Sequence, residues 1–342
     1  MDWQKAGSGK GIGLTALLGV ALLLASAAGG LGRPAGAQGL KGGAGAPYTV
    51  KVITFSTPFV LAIAQGRGFL AAEGLELEHT ITQSSAQLMG GVIDGTYDIG
   101  LTNPDNWITY VVRDNADVFM FQGNDAGGER VVMARPEIQS VDDLRGKALA
   151  VDAVDSGLVM ILWKILDDQG LDFRTGDPRL VPVGATGPRL ASMERGETAA
   201  GIVGLADVER AQALGLHSLG SSRDHLPEYP GTQGGTTRRW AEAHPDVLIR
   251  FIRASVAASQ WAKEPANRAA AIALYRDLTG ANQETAEEAY ATLIPDATID
   301  VRGIQTILDL RVALGFMQPP APPASRFYDT RYWEAATGRR HP

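Results

Sequence analysis

The chain has no cysteine among its 342 residues. That absence removes thiolate nucleophiles, zinc–thiolate sites, iron–sulfur clusters and disulfides together, so stability must come from burial in full-sized domains. An acyl anchor on an N-terminal cysteine is excluded for the same reason. Positive charge is nowhere concentrated: no basic run occurs, and the formal net charge is −7. Binding to a phosphate backbone needs clustered Lys and Arg, so nucleic acid is not an expected partner. Histidine is sparse, and His79, His217, His225, His244 and His341 include no pair at helical metal-ligand spacing. There is no Gly-x-Ser-x-Gly elbow. The run GSGKGIG (Gly7 to Gly13) lacks a hydroxyl residue after its Gly-Lys pair and follows no strand, so it is no phosphate loop. Asp142-Asp143 and Asp167-Asp168 read as a helix start and a solvated helix end. No nucleophile stands beside a base, and no catalytic residue, cofactor or metal is expected.

What is present points to an exported, two-domain protein. Hydrophobic residues make up 45% of the chain, enough for genuine cores over this length. Residues 1–37 read as an export signal: Lys5 and Lys10 precede the apolar LTALLGVALLLASAA (Leu14 to Ala28), and Ala35-Gly36-Ala37 offers a small-x-small cleavage site. The apolar stretch is shorter than the ~20 residues that span a bilayer, which favours cleavage near Ala37 over a retained anchor. Residues 38–47 form a flexible Gly/Ala segment. The expected location is the periplasm.

From Tyr48 onward strand and helix signals alternate. YTVKVITF (Tyr48 to Phe55) is β-branched and aromatic. A helix opened by Pro58 runs to about Ala72, with Gly74 at its left-handed end. Leu75 to Thr82 alternates apolar and polar residues, as a half-buried strand does. Ser84 and Gln87 form a capping box ahead of the stripe Leu88, Met89, Val92, Ile93. Tyr97 to Thr102 is a third strand, and Asn103-Pro104 starts another helix. The pattern restarts after Ser140, with strands over Lys147–Asp152, Arg179–Val183, Ala199–Val203 and Leu216–Leu219. Such alternation predicts parallel strands with right-handed crossovers, in two α/β units. Arg130 to Pro136 and a loop-rich return over Ser221 to Thr236 read as the joins. The C-terminal third is helical, with Val247, Leu248, Phe251 and Ile252 on one stripe.

Several polar loops fall at the carboxyl ends of the expected strands, where open α/β sheets bind ligands at helix N-termini. They supply the candidate binding residues Ser56, Thr57, Phe59, Ser84, Ser85, Asn103, Asp105, Asn106, Trp107, Asp155, Ser156 and Asp207. Taken singly, Ser84, Asn103, Asp155 and Asp207 each read first as a plain helix cap, and Phe59 and Trp107 read equally as core aromatics. Three carboxylates, Asp105, Asp155 and Asp207, would disfavour a dianion unless Arg130 or a helix N-terminus offsets them.

At TPFVLAIAQGRGFLAAEGLELE (Thr57 to Glu78), QSSAQLMGGVIDGTYDIGLTNPDN (Gln83 to Asn106) and SVDDLRGKALAVD (Ser140 to Asp152) the chain resembles the substrate-binding proteins of ABC transporters. The similar group is the NMT1/THI5-like one, related to alkanesulfonate, nitrate and thiamine-precursor receptors. The resemblance continues through Arg238 to Arg268 and Ile304 to Gly315. It implies an α/β, type II periplasmic binding protein: two lobes joined by two crossover segments, with a helical C-terminal extension. Lobe 1 would take residues 48–131 and 236–342, and lobe 2 residues 132–235. A monomer would trap a small heterocyclic, sulfonate or carboxylate ligand by hinge closure. It would then meet the membrane only through an ABC permease and its ATPase. An exported sensory receptor, or an enzyme like the thiamine-precursor synthases, are the alternatives. The latter use a cysteine-rich motif that this chain lacks.

Overall fold

Two five-stranded sheets organise residues 46–172, 175 and 177–342, which this computed structural model describes. The expected export signal lies outside those residues. The first sheet begins with β1 (Tyr48–Thr54), β2 (Leu75–Ile81), β3 (Ile99–Thr102) and β4 (Val118–Gly123). Between them run α1 (Phe59–Gly66), α2 (Phe69–Ala72), α3 (Ser85–Asp94) and α4 (Pro104–Arg113). The chain then crosses to the second sheet. There β5 (Arg130–Ala134), β6 (Ala148–Val151), β7 (Arg179–Pro182), β8 (Ala200–Gly204) and β9 (His217–Ser221) alternate with α5 (Gly157–Asp167), α6 (Thr186–Glu194) and α7 (Val208–Ala213). After α8 (Ser222–His225) a second crossing returns it to β10 (Gln233–Thr237) of the first sheet. The chain finishes with α9 (Arg238–Ala243), α10 (Pro245–Lys263), α11 (Arg268–Thr279), α12 (Gln283–Thr292), α13 (Val301–Ala313) and α14 (Arg331–Thr337).

The strand orders are β2-β1-β3-β10-β4 and β7-β6-β8-β5-β9. One strand in each sheet, β10 or β5, runs antiparallel to its neighbours. Each is the first strand laid down after the chain changes sheet. The expectation of wholly parallel units is therefore corrected. A chain arriving from the other sheet enters from the ligand edge and must run back along it. Three strands, β4, β5 and β10, were not among those expected. The segments holding β5 and β10 read as joins, and both strands lie wholly beyond a crossing, whereas the boundaries expected at 131/132 and 235/236 fall inside them.

Local chemistry explains the smaller departures. Gly68, at φ 76°, splits the helix expected from Pro58 to Ala72 into α1 and α2. Ser84 Oγ accepts the Gln87 N–H at 3.2 Å, but the Gln87 side chain bonds Thr82 Oγ1 instead of reaching back, so the capping box is half formed. The expected stripe of α10 does enter the core, where Phe251 meets Phe121 edge-on. A further apolar cluster is continuous between the halves, from Trp107 and Ile108 on α4 through Val159 and Met160 on α5 to Ile304 and Leu308 on α13.

Candidate functional site

A cleft of about 990 Å³ lies where the carboxyl ends of both sheets face each other. Its walls are loop ends and helix starts, because successive α/β units deliver every such loop to the same edge. Ser56, Thr57 and Phe59 enter from the β1–α1 loop, Ser84 and Ser85 from the start of α3, and Asn103 and Asn106 from the start of α4. Ser156 and Asp207 enter from the second half. The crossing segments close the floor with Asn124, Asp125, Gly128, Arg130 and Thr232, and α11 and α12 add Tyr275 and Glu288.

Three expected residues lie elsewhere. Asp105 is fully buried and ion-paired with Arg311 Nη1 at 2.6 Å, and it also accepts the Tyr229 hydroxyl. Burial pushes its carboxyl above the ordinary range, against the pull of Arg311. Trp107 is a core aromatic, its ring filling the space over Gly235, where a Cβ would lie 2.6 Å away. Asp155 pairs with Arg113 at 2.7 Å on the surface. The helical period separates these residues from their neighbours: Asn103 and Asn106 share the cleft face, while Asp105 and Trp107 turn inward. Of the three carboxylates expected near the ligand, only Asp207 remains, now joined by Asp152, Asp125 and Glu288.

Of the cleft residues that read as caps, Ser84 is one and two others are not. Asn103 makes no capping bond, and neither does Asp207. Ser156 does cap, accepting the Val159 N–H at 3.3 Å while its hydroxyl donates to Asp152. Asn106 Nδ2 donates to Thr102 Oγ1 at 2.7 Å. Phe59 stacks on Tyr275 with ring centroids 4.8 Å apart, so it serves both core and wall. Asp125 Oδ1 accepts the Gly127 and Thr232 N–H groups at 3.0 and 3.1 Å, tying one crossing to the other. Enclosure raises its pKa, as it does that of Glu288. Arg189 is buried in the second half, and desolvation lowers its pKa. Sequence reasoning missed Asn124, Arg189 and Glu288, which sit on no recognisable motif. Among the described residues no three His, Asp or Glu side chains are grouped to hold a metal, and no helix is long and apolar enough to cross a membrane.

The model of the NMT1-like family matches residues 49–275. Among curated proteins no sequence match is found. Solved structures share the fold. The alkanesulfonate-binding protein SsuA from Xanthomonas axonopodis pv. citri, bound to MOPS, is 17% identical with a TM-score of 0.68, over 83% of this chain and 99% of its own. The periplasmic nitrate-binding protein NrtA from Synechocystis PCC 6803 is 12% identical with a TM-score of 0.69, over 85% and 89%. A cysteine-to-serine mutant of DSZB in complex with biphenyl-2-sulfinic acid is 15% identical with a TM-score of 0.60, over 85% and 99%. The type II periplasmic binding fold is thereby established for the two sheets and their flanking helices.

Proposed function

We infer that this chain, which belongs to the NMT1-like family, is the solute-binding receptor of an ABC importer in the periplasm. The observation that carries the reading is the cleft itself, lined from both halves by polar loop ends and floored by the two crossing segments. A solute seated there touches both sheets at once, so binding favours the arrangement that brings them together. The closed form is what a permease and its ATPase would recognise. Helix starts around the cleft offer backbone N–H groups to an anionic edge, and the Phe59–Tyr275 pair offers a flat apolar wall. That combination suits a small organic solute with a sulfonate, carboxylate or heterocyclic polar edge.

We read the protein as a receptor and not as an enzyme. The DSZB structure is that of a mutant in which a cysteine has become serine. The present chain has no cysteine to play any corresponding part. Two experiments test the reading. Mass spectrometry of whatever solute is released on mild denaturation should identify a small organic molecule. Calorimetry with that solute should give one site per chain and no turnover. Product formation by the purified protein would overturn the receptor reading.

A further inference from the structure

Polar groups without partners stand out along the cleft floor. The side chain of Arg130, the first residue of β5, makes one weak hydrogen bond, from Nη1 to the Glu129 carbonyl at 3.3 Å, and no direct ion pair among the described residues, although Asp125 and Glu288 lie near enough to feel its charge. Gly128 and Gly204 make room for it: a Cβ at either would lie 3.3 or 3.4 Å from Nη1. Arg189 on α6 is 3% exposed, and it donates to the Gly184 carbonyl and to Thr186 Oγ1, both at 3.0 Å. Its Nε has no partner, and it too forms no ion pair among the described residues. Asn124 is 2% exposed; its Oδ1 accepts from Gln122 Nε2 at 2.7 Å, and its Nδ2 has no partner among the described residues. Buried donors are rarely left unmet, and every unspent group in this trio is an N–H.

Acceptors stand close by. Asp207 takes no hydrogen bond or ion pair among the described residues, and Asp152 takes only the Ser156 hydroxyl. Arg189 feels both carboxylates as attraction and Arg130 as repulsion, which places all four charges in one neighbourhood. Asp125 and Glu288, the carboxylates that Arg130 does attract, are each already engaged by backbone: Asp125 by the Gly127 and Thr232 N–H groups, Glu288 by the Glu129 N–H at 3.1 Å.

We propose that the cleft takes a small zwitterion, its single anionic head on Arg130 and Asn124 with Arg189 behind, and its ammonium or protonated ring nitrogen facing Asp207 and Asp152. This deepens the receptor reading and rests on it. A dianion would match the two arginines but leave Asp207 and Asp152 facing its charge, and a simple amine would leave the two arginines unanswered. A zwitterion answers both sets. The head is a carboxylate or a sulfonate, whose shared chemistry is one delocalised negative charge accepting N–H bonds.

Thermal melting against four panels tests this: the common amino acids with taurine, their deaminated acids, their decarboxylated amines, and dicarboxylates. The largest stabilisation is expected from a zwitterion, and taurine against the amino acids distinguishes the two heads. Deaminating the best binder should weaken it about 10-fold or more, and Arg130→Gln should weaken it about 30-fold or more. Arg130→Lys should recover part of that loss. Asp207→Asn should erase the preference for the zwitterion over its deaminated acid. Unliganded melting temperatures close to wild type would show that each variant is folded. A dicarboxylate or an amine as the best binder, or a zwitterion indifferent to Arg130→Gln, overturns the proposal while leaving the receptor reading intact. If no panel member binds and no solute co-purifies, the receptor reading itself falls.

Discussion

The two sheets have the same strand order but are finished differently. In the first, the outer strand β4 is closed off by the chain's end: the Met120 N–H donates to the Phe327 carbonyl, and the Asp329 N–H to the Met120 carbonyl, both at 2.9 Å. Every residue of β4 is buried as a result. Helix α14 adds Trp333, whose Nε1 donates to the Asp296 carbonyl at 2.8 Å, and α10 and α11 pack beneath. In the second sheet the matching strand β9 has no fully buried residue, and neither does the opposite edge, β7. Beyond the cluster shared between the halves, its own core is the small group around Met133, Leu190, Met193 and Leu216. An uncovered edge is a weaker edge. The same topology thus yields a heavy, braced half and a lighter half, the arrangement expected of a fixed jaw and a moving one.

The contact on which they meet can be broken most severely at Arg311. Replacing it with Met leaves Asp105 buried without its cation, and the expected loss is about 3–5 kcal/mol in denaturant unfolding. A cost below about 1 kcal/mol would mean that the pair is not the shared foundation of both halves. Trp333→Ala should cost a similar amount, about 3–5 kcal/mol, and should act on one half only. Hydrogen exchange is the measurement to use: β4 amides should exchange more slowly than β9 amides in the wild type and approach them in the variant.

Gly157, at the start of α5, sharpens the comparison. A Cβ there would lie 2.8 Å from Asp105 Cβ and 3.0 Å from the Tyr229 hydroxyl. Gly157→Ala should therefore wedge the halves apart, costing about 1–3 kcal/mol and weakening ligand binding through closure. Unchanged binding would show that the halves do not turn about this contact. The smallest effect is expected at Asp125→Asn. The amide oxygen can still accept the Gly127 and Thr232 N–H groups, and the carboxylate's raised pKa means that charging it opposes folding. The wild type carries that penalty once the pH exceeds the unfolded value of about 3.9, and it is fully developed above the folded value. The variant should be as stable as the wild type, or slightly more so, near pH 7. Its advantage should shrink as the pH falls towards about 4 in paired melting curves.

Much of this is legible in sequence where a period or a cap speaks for itself. β2, α3, α5 and α10 follow from alternation, capping serines and apolar stripes. β10 does not: QGGTT carries no hydrophobic signal, and it is buried because Trp107 and Phe121 occupy the space its glycines leave free. β5 reads as a join because it begins directly after one, and the short apolar RVVMA does not reveal that it hydrogen-bonds as a central strand of the second sheet. The cleft residues at loop ends are within reach, since sheet topology alone sends them to one edge. Asp105 is not, because its partner Arg311 lies 206 positions away. A carboxylate after a helix-starting proline looks the same whether it faces ligand or core. Arg189 and Asn124 show why the rest stays hidden: their meaning lies in hydrogen bonds left unmade, which only a folded chain displays.

Small-angle scattering of the protein with and without its bound solute tests the central claim most directly. The radius of gyration should fall on binding, as the lighter half swings onto the braced one. An unchanged scattering curve at saturating solute would contradict closure of two jaws on a guest.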